Sequence, residues 1–461
     1  MSPANYKLLK KTIPGVLTGI LLFCGIALFP WQVKAQVIFS GDFDGRLSSI
    51  NLHRTLPDSL NNKTFNFIGF GELDLGYKHK KWDLFGSFFG NYTYGTNFSS
   101  IRTPGDIQFG FYQAWFRYHF SKYFSLQAGR IEIEYSDQRF FEARDWSGAV
   151  TSHNAVILHY LEPDTGAMAD LGFAMNKIDA GEGLFSTNRT INNYRYMSYL
   201  WASKRLFDKQ LSLTFTNIFS ANDNGEDLSV LYGQNTLGLE SWLALDDWNF
   251  DLAGYYQFGH VIDGRKLSAW YGAAYVSYSP ASWLTLMPAY EYMSGDNFRD
   301  SAEWNRVEHG FSILYGHMTR SFGHSGVLTN GFRPNSHPGL NNLYFTMTFD
   351  ILDNLSIEAS YHWFSLADPH LRKFDPDSLK ITIVDVPKSL LHQAELTFTY
   401  NPVPAVTLTL DYQLLFPGTG MKNYGGWNFS PGTPVSSAYI EVEWTPVFYP
   451  HKKRHAVTHD A

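Results

Sequence analysis

Residues 405–416 read AVTLTLDYQLLF, and their two-residue rhythm decides the fold. Val406, Leu408, Leu410, Tyr412 and Phe416 fall on one parity, Thr407, Thr409, Asp411 and Gln413 on the other. Such alternation places one side chain set on each face of a strand, one greasy and one wet. The same pattern recurs along the chain. In FIGFGELDLGYK, Phe67, Leu73, Leu75 and Tyr77 separate from Glu72, Asp74 and Lys78. In WNFDLAGYYQF, Trp248, Phe250, Leu252, Tyr256 and Phe258 separate from Asn249, Asp251 and Gln257. Helical periodicity is weak throughout.

Working outward, the rhythm predicts strands at 37–50, 65–78, 81–94, 106–120, 123–136, 153–163, 167–178, 194–207, 210–221, 230–245, 248–262, 265–279, 282–294, 341–351, 354–367, 391–401, 405–417 and 437–448. The joints between them alternate in length. HK, SK, EPDT, DK, DD, PAS, DN and NPVPA are tight turns, whereas 95–105, 137–152, 179–193, 295–340, 368–390 and 418–436 are long. DGRK near 263–266 is the exception, a short joint where a long one is expected. About 18 strands with short turns at one rim and long loops at the other predict an all-β, antiparallel up-and-down transmembrane β-barrel over 36–448. A soluble sandwich or propeller would also alternate. It would not need aromatic rings near strand ends, as at Trp82, Tyr92, Tyr94, Phe120, Tyr123, Tyr135, Trp248, Tyr278 and Trp283, where a bilayer has its headgroups.

Composition agrees. The 461 residues are 17% aromatic and only 17% charged, against roughly a quarter charged in ordinary globular domains. Residues 1–35 read as an export signal: Lys7, Lys10 and Lys11, an apolar run from Ile13 to Phe29, and Val33-Lys34-Ala35 before the expected cleavage. A retained anchor is disfavoured by the run's brevity and by Pro14. Phe23 before Cys24 is too large for lipid attachment. Removing the leader takes four of the 36 basic residues and none of the 43 acidic ones, moving the net charge from −7 to about −11. It also removes the single cysteine, which excludes a disulfide framework or thiolate metal site. The acidity argues against nucleic acid as a partner. Residues 449–461, YPHKKRHAVTHDA, are expected to be a solvated periplasmic tail, although His451, His455 and His459 have a metal-ligand spacing on a helix.

The stretch 129–146, GRIEIEYSDQRFFEARDW, alternates as well. It predicts Ile131, Ile133 and Tyr135 facing lipid and Arg130, Glu132 and Glu134 facing the lumen. At this strand number side chains cannot fill the interior, so an aqueous channel is expected. On the polar parity Glu72, Asp74, Asp83, Glu132, Glu134, Asp170, Glu240, Asp251, Glu291, Glu358, Glu395, Asp411, Glu441 and Glu443 outnumber Lys78, Arg117 and Arg130, with Arg195, Lys204 and Arg205 of ambiguous parity. Rings of acid favour cations. Phe85, Phe89, Trp115, Trp242, Tyr255, Phe364 and Trp270 on the wet parity are candidates for stacking on sugar rings.

LQAGRIEIEYSDQRFFEARDW, residues 126–146, resembles the signature of alginate-export-type outer-membrane porins, in which a Gly-Arg strand with Tyr, Asp and Arg leads into a Trp-bearing loop. Gly129, Arg130, Tyr135, Asp137, Arg139 and Trp146 match; Ile131 and Ser136 stand where the family has Gln and Gly. AELTFTYNPVPAVTLTLDYQLLFPG, 394–418, is similar to the family's penultimate hairpin, and LYGHM, 314–318, is a weaker match. The resemblance implies an 18-stranded monomeric barrel that conducts a polysaccharide, with loops constricting the pore. By matching positions it makes Arg130, Arg139 and Arg144 candidate carboxylate-binding cations. The competing reading has them bracing the wall by pairing with Glu132, Glu134, Glu142 and Asp145.

The function expected is passive export or diffusion of a polysaccharide, oligosaccharide or other small hydrophilic solute, without cofactor or metal. Arg130, Glu132, Glu134, Arg117, Arg139, Arg144, Asp145, Glu358, Glu395 and Asp411 are the expected pore-lining or solute-binding residues. The expected partners are outer-membrane lipids and the barrel assembly machinery of a Gram-negative cell. The rivals are a closed barrel serving as an adhesin or assembly factor, and a barrel hydrolase. The second would draw on His309, His317, Ser321, His324 and Ser325, but no nucleophile-elbow pattern is present.

Overall fold

A computed structural model describes residues 36–50, 64–94, 107–143, 151–176, 194–222, 230–299, 306–316, 337–375, 380–425 and 432–448, together with Glu303 and Leu328. The expected signal segment, the tail, Arg144, Asp145 and Trp146 lie outside them.

The wall strands are β1 Gln36–Ile50, β2 Thr64–Lys78, β3 Trp82–Tyr94, β4 Ile107–His119, β5 Phe124–Ile131 and β6 His153–Glu162. Next come β7 Ala167–Met175, β8 Tyr196–Leu206, β9 Leu211–Asn222, β10 Tyr232–Leu245, β11 Trp248–His260 and β12 Lys266–Ala281. The last are β13 Leu284–Met293, β14 Leu340–Leu352, β15 Leu355–Leu366, β16 Ser389–Val403, β17 Val406–Pro417 and β18 Val435–Trp444. Each pairs antiparallel with its neighbours in the chain. Phe43 opposite Trp444 and Arg46 opposite Glu441 join β1 to β18 and close an 18-strand barrel. Closure leaves no unpaired strand edge, the condition a sheet must meet in hydrocarbon.

Alternation sorts the two faces as the sequence predicts in most strands. Leu410, Tyr412, Ile440, Val442 and Trp444 are exposed on the outer face, while Asp411 and Gln413 are buried on the inner one. Tyr92, Tyr94, Phe120, Trp248 and Trp283 stand exposed near strand ends. Trp270 is a correction: it is exposed on the outer face and stacks on Tyr256 with ring centroids 4.1 Å apart. The short joint at 263–266 is also explained. Val307 and Glu308, returning from the loop after β13, pair in parallel with Lys266 and Leu267 and extend the wall there.

The larger correction concerns the stretch from Gly129. β5 has 8 residues and ends at Ile131, not at 136. Gly129 has φ +137, and a Cβ on it would stand 2.3 Å from the carbonyl oxygen of Ala114. Only glycine accommodates that approach and conformation. Past this point the chain leaves the wall and turns into the lumen. Ile131, Ile133, Phe140 and Phe141 are therefore buried in the interior core, not against lipid, and Tyr135 packs on that core.

Candidate pore constriction

Two inward-folded segments, 132–143 and 307–316, meet inside the barrel and are fastened to one stretch of wall, from β7 to β12. On one side the Tyr135 hydroxyl donates to Asp170 Oδ2 at 2.7 Å, and its ring stacks on Trp201 of β8 at 4.7 Å. On the other, Phe140 meets Tyr255 of β11 edge-on at 4.6 Å. Arg139 reaches β12, donating to the hydroxyls of Tyr271 and, at 2.9 Å, Tyr275, and lying 4.7 Å over the Tyr271 ring. Its Nη2 also donates to Asp137 Oδ2, and Tyr275 in turn donates to Glu291. The guanidinium is thus held in a fully buried chain of acid, tyrosine and acid. The arrangement braces the segment, with the positive charge matched inside the protein by Asp137 rather than by Glu132, Glu134 or Glu142.

The second segment docks through amides and rings. Gln257 of β11 donates to the Ser312 carbonyl at 2.7 Å and accepts from the Ser312 N–H at 2.9 Å. Phe311 packs on Tyr271, and the Tyr315 hydroxyl is 2.9 Å from Ser220 Oγ. Phe141 and Tyr315 form a parallel bridge between the segments. Gly316 abuts the first segment so closely that a Cβ would lie 1.7 Å from the carbonyl oxygen of Arg139. Of these docking residues, Tyr315 and Gly316 fall in the weakly matching LYGHM stretch; Gln257 was expected only on the polar parity of its strand, and Phe311 and Ser312 were not singled out by sequence reasoning. The signal was there in Phe311, Ile313 and Tyr315, a strand-like alternation inside a loop otherwise polar.

At the outer rim the second segment carries a buried acid pair. Glu308 and Asp296 have side chains with 0% exposure, 2.6 Å and 3.9 Å from Arg265. Asp296 also accepts the His309 N–H at 2.7 Å, and His309 donates from Nδ1 to the Ser268 carbonyl at 2.7 Å. The carboxyl of Asp296 is pushed up to about 7, first by burial and then by the Glu308 carboxylate. An acid whose folded pKa lies above its unfolded value binds more protons when docked, so docking weakens as pH rises from about 4 and levels off above about 7. Protease nicking of the 294–316 segment is expected to increase over that window, and Asp296→Asn, which keeps the acceptor oxygen, is expected to flatten the profile.

Most of the other expected site residues lie on the inner wall. Arg117 donates to Gln127, which His159 bridges to Asp170 at 2.7 Å. Arg130 is a correction: near the end of β5 it pairs in register with the exposed Ala114 and Asn154, on the parity of the outward Phe116 and Val156 rather than of Gln127. Glu132 and Glu134 belong to the first inward segment rather than to a strand; Glu132 accepts from Gln113 at 3.4 Å and Glu134 from Gln138 at 2.6 Å. Asp411 accepts from Thr397 and Gln413, Glu395 accepts from Ser360 and Gln393, and Glu358 is exposed to the lumen. Glu358, Glu395, Asp411, Glu441, Glu443, Asp42, Asp44, Glu72, Asp74 and Asp83 fall on adjoining strands β15 to β18 and, across the seam, β1 to β3. The arginine of that arc, Arg46, is bound to Glu441 at 2.6 Å and lies over the Tyr439 ring. Phe85, Phe89, Tyr255 and Phe364 face inward as expected. Among the described residues no group of three or more His, Cys, Asp or Glu is placed to hold a metal ion.

A closed barrel of this strand number, with an apolar outer face, a polar inner wall and inward-folded segments, is an outer-membrane porin in architecture. Known proteins bear this out. The chain belongs to the alginate export family, whose pattern it matches over residues 73–430. No curated protein matches it. Among solved structures, a BenF-like porin from Pseudomonas fluorescens Pf-5 superposes with TM-score 0.58 at 10% identity, covering 90% of this chain and 99% of that one. OccK2 (OpdF) of Pseudomonas aeruginosa gives 0.57 at 14%, covering 89% and 98%. OccAB4 of Acinetobacter baumannii gives 0.54 at 10%, covering 91% and 100%. At these identities the likeness is one of fold.

Proposed function

We propose that the barrel is a passive conduit for a hydrophilic saccharide, oligomeric or polymeric, of neutral or net positive charge. The acidic arc of β15 to β3 carries this reading. A polyanion moving along it would meet carboxylate after carboxylate, while Arg46 and Arg139 spend their charge on Glu441 and Asp137. Inward rings such as Phe85, stacked on Trp115 at 5.2 Å, offer apolar faces to pyranose rings. Transport would be by diffusion, with no cofactor, and the residues named from the sequence would line or brace the channel rather than act as a catalytic set.

Current interruption in a planar bilayer tests this. Neutral gluco-oligosaccharides added to one side are expected to produce resolved blocking events, and oligouronates of equal length few or none. Blocking by the oligouronates alone would overturn the reading and restore a basic selectivity site.

A further inference from the structure

On the outer surface, at the rim bearing the long loops, an open cleft of about 600 Å³ is lined by His260, Asp263, Arg265, Lys266, Glu303 and Arg306. That volume is within the range of about 300–1,000 Å³ typical of small-ligand sites. Its walls follow from the register. His260 and Lys266 are paired residues at the ends of β11 and β12, on the parity of the outward Phe258 and Trp270. Arg306 is fixed beside them because its carbonyl accepts the Lys266 N–H at 2.9 Å; its side chain is exposed and lies 3.4 Å from the exposed Glu303, a solvent-screened pair that a phosphate can displace. Arg265 is locked from behind by Asp263 and Glu308.

The height of the cleft identifies what it meets. Tyr256, stacked on the exposed Trp270, and exposed Phe258 form the outward aromatic belt below it. Such belts sit at headgroup level. Lys266 lies four residues beyond Trp270, roughly 13 Å along the strand and roughly 10 Å higher at a tilt of 35–45°. A basic cleft at that height, open sideways and away from the lumen, faces the sugar and phosphate layer of the outer leaflet. We propose that it binds the phosphorylated sugar headgroup of an outer-leaflet glycolipid, with Lys266 and Arg306 on the phosphate and His260 beside them.

Native mass spectrometry of the full chain in phosphatidylcholine nanodiscs tests this, with bisphosphorylated lipid A as the probe. The wild type is expected to retain lipid A. A basic residue at a membrane surface contributes about fivefold in binding, so Lys266→Ala with Arg306→Ala is expected to lower retention roughly thirtyfold. Channel conductance should not change, since neither side chain lines the pore. Lipid A stripped of its phosphates should bind the wild type no better than intact lipid A binds the double variant. Equal retention by wild type and variant, or indifference to phosphate removal, overturns the proposal. Should the variant fail to insert, the two lipid forms on the wild type decide the matter alone. Glucosamine 1-phosphate that displaces lipid A at equimolar concentration would overturn the lipid assignment in favour of a free phosphosugar; displacement only in large excess supports the membrane-borne source.

Discussion

Arg139→Ala is expected to raise single-channel conductance and its noise together. The side chain is the only described cation inside the 132–143 segment, and it joins Asp137 to Tyr271 and Tyr275 of β12 and, through Tyr275, to Glu291 of β13. Truncating one member of a buried charged set costs about 3–5 kcal/mol, because the remaining charges are stranded. Here the stranded groups are Asp137 and Glu291, with 14% and 3% exposure. They can regain water only if the segment lifts from the wall. The barrel itself keeps its strand pairing, so heat resistance on a gel should persist while the segment detaches. Arg139→Lys is expected to behave nearly as the alanine variant does, because an ammonium cannot serve both tyrosine hydroxyls and Asp137 in the planar geometry of a guanidinium. Unchanged conductance in both variants would show that the segment is held by Tyr135, Phe140 and Phe141 alone.

The second large effect is on ion selectivity. Reversal potentials across a KCl gradient are expected to show preference for K⁺, growing as salt is lowered. A carboxylate about 4 Å from a passing cation biases it by roughly 1 kcal/mol even in water, about fivefold each. Screening acts over about 10 Å at 0.1 M. Replacing Asp42, Asp44 and Glu443 with their amides removes the carboxylates of Asp44 and Glu443, paired across the seam, and of Asp42, paired with Glu72, while keeping side chain volume. The permeability ratio should fall toward one. Anion selectivity in the wild type would contradict the acidic arc as the controlling field and direct attention to cations in the loops.

Most of the barrel was legible because alternation is imposed by two unlike surroundings, and seventeen of the eighteen wall strands fall within a few residues of their expected places. β5 failed for a physical reason. Ile131, Ile133 and Tyr135 alternate with Arg130, Glu132 and Glu134 as a wall strand would, yet the apolar side of this stretch packs against Ala155, Tyr199 and Trp201 inside the barrel. Two-sided environments produce the same rhythm whether the greasy side is lipid or packed protein. Length then misleads as well, since nothing local announces that Gly129 must take φ +137. The family-like positions fared better as chemistry than as secondary structure: Gly129, Tyr135, Asp137 and Arg139 are the ones that turn the chain inward and fasten it. The role of Arg130, Arg139 and Arg144 as carboxylate grips was only what the family resemblance implied. The tyrosines that occupy Arg139 come from 271 and 275, more than a hundred residues away, and no local pattern links them.

The seam between β1 and β18 sets an order on the making of this molecule. Residues 43 and 444 are neighbours across it, so the first strand synthesised waits for the last. Until Val435–Trp444 arrives, β1 and β17 each present a row of unanswered N–H and C=O groups, a template for pairing with any other chain. The unfinished sheet is therefore the aggregation-prone state, and ring completion is all or nothing. A chain stopped one strand short forfeits the whole cylinder, however many of its other pairings are intact.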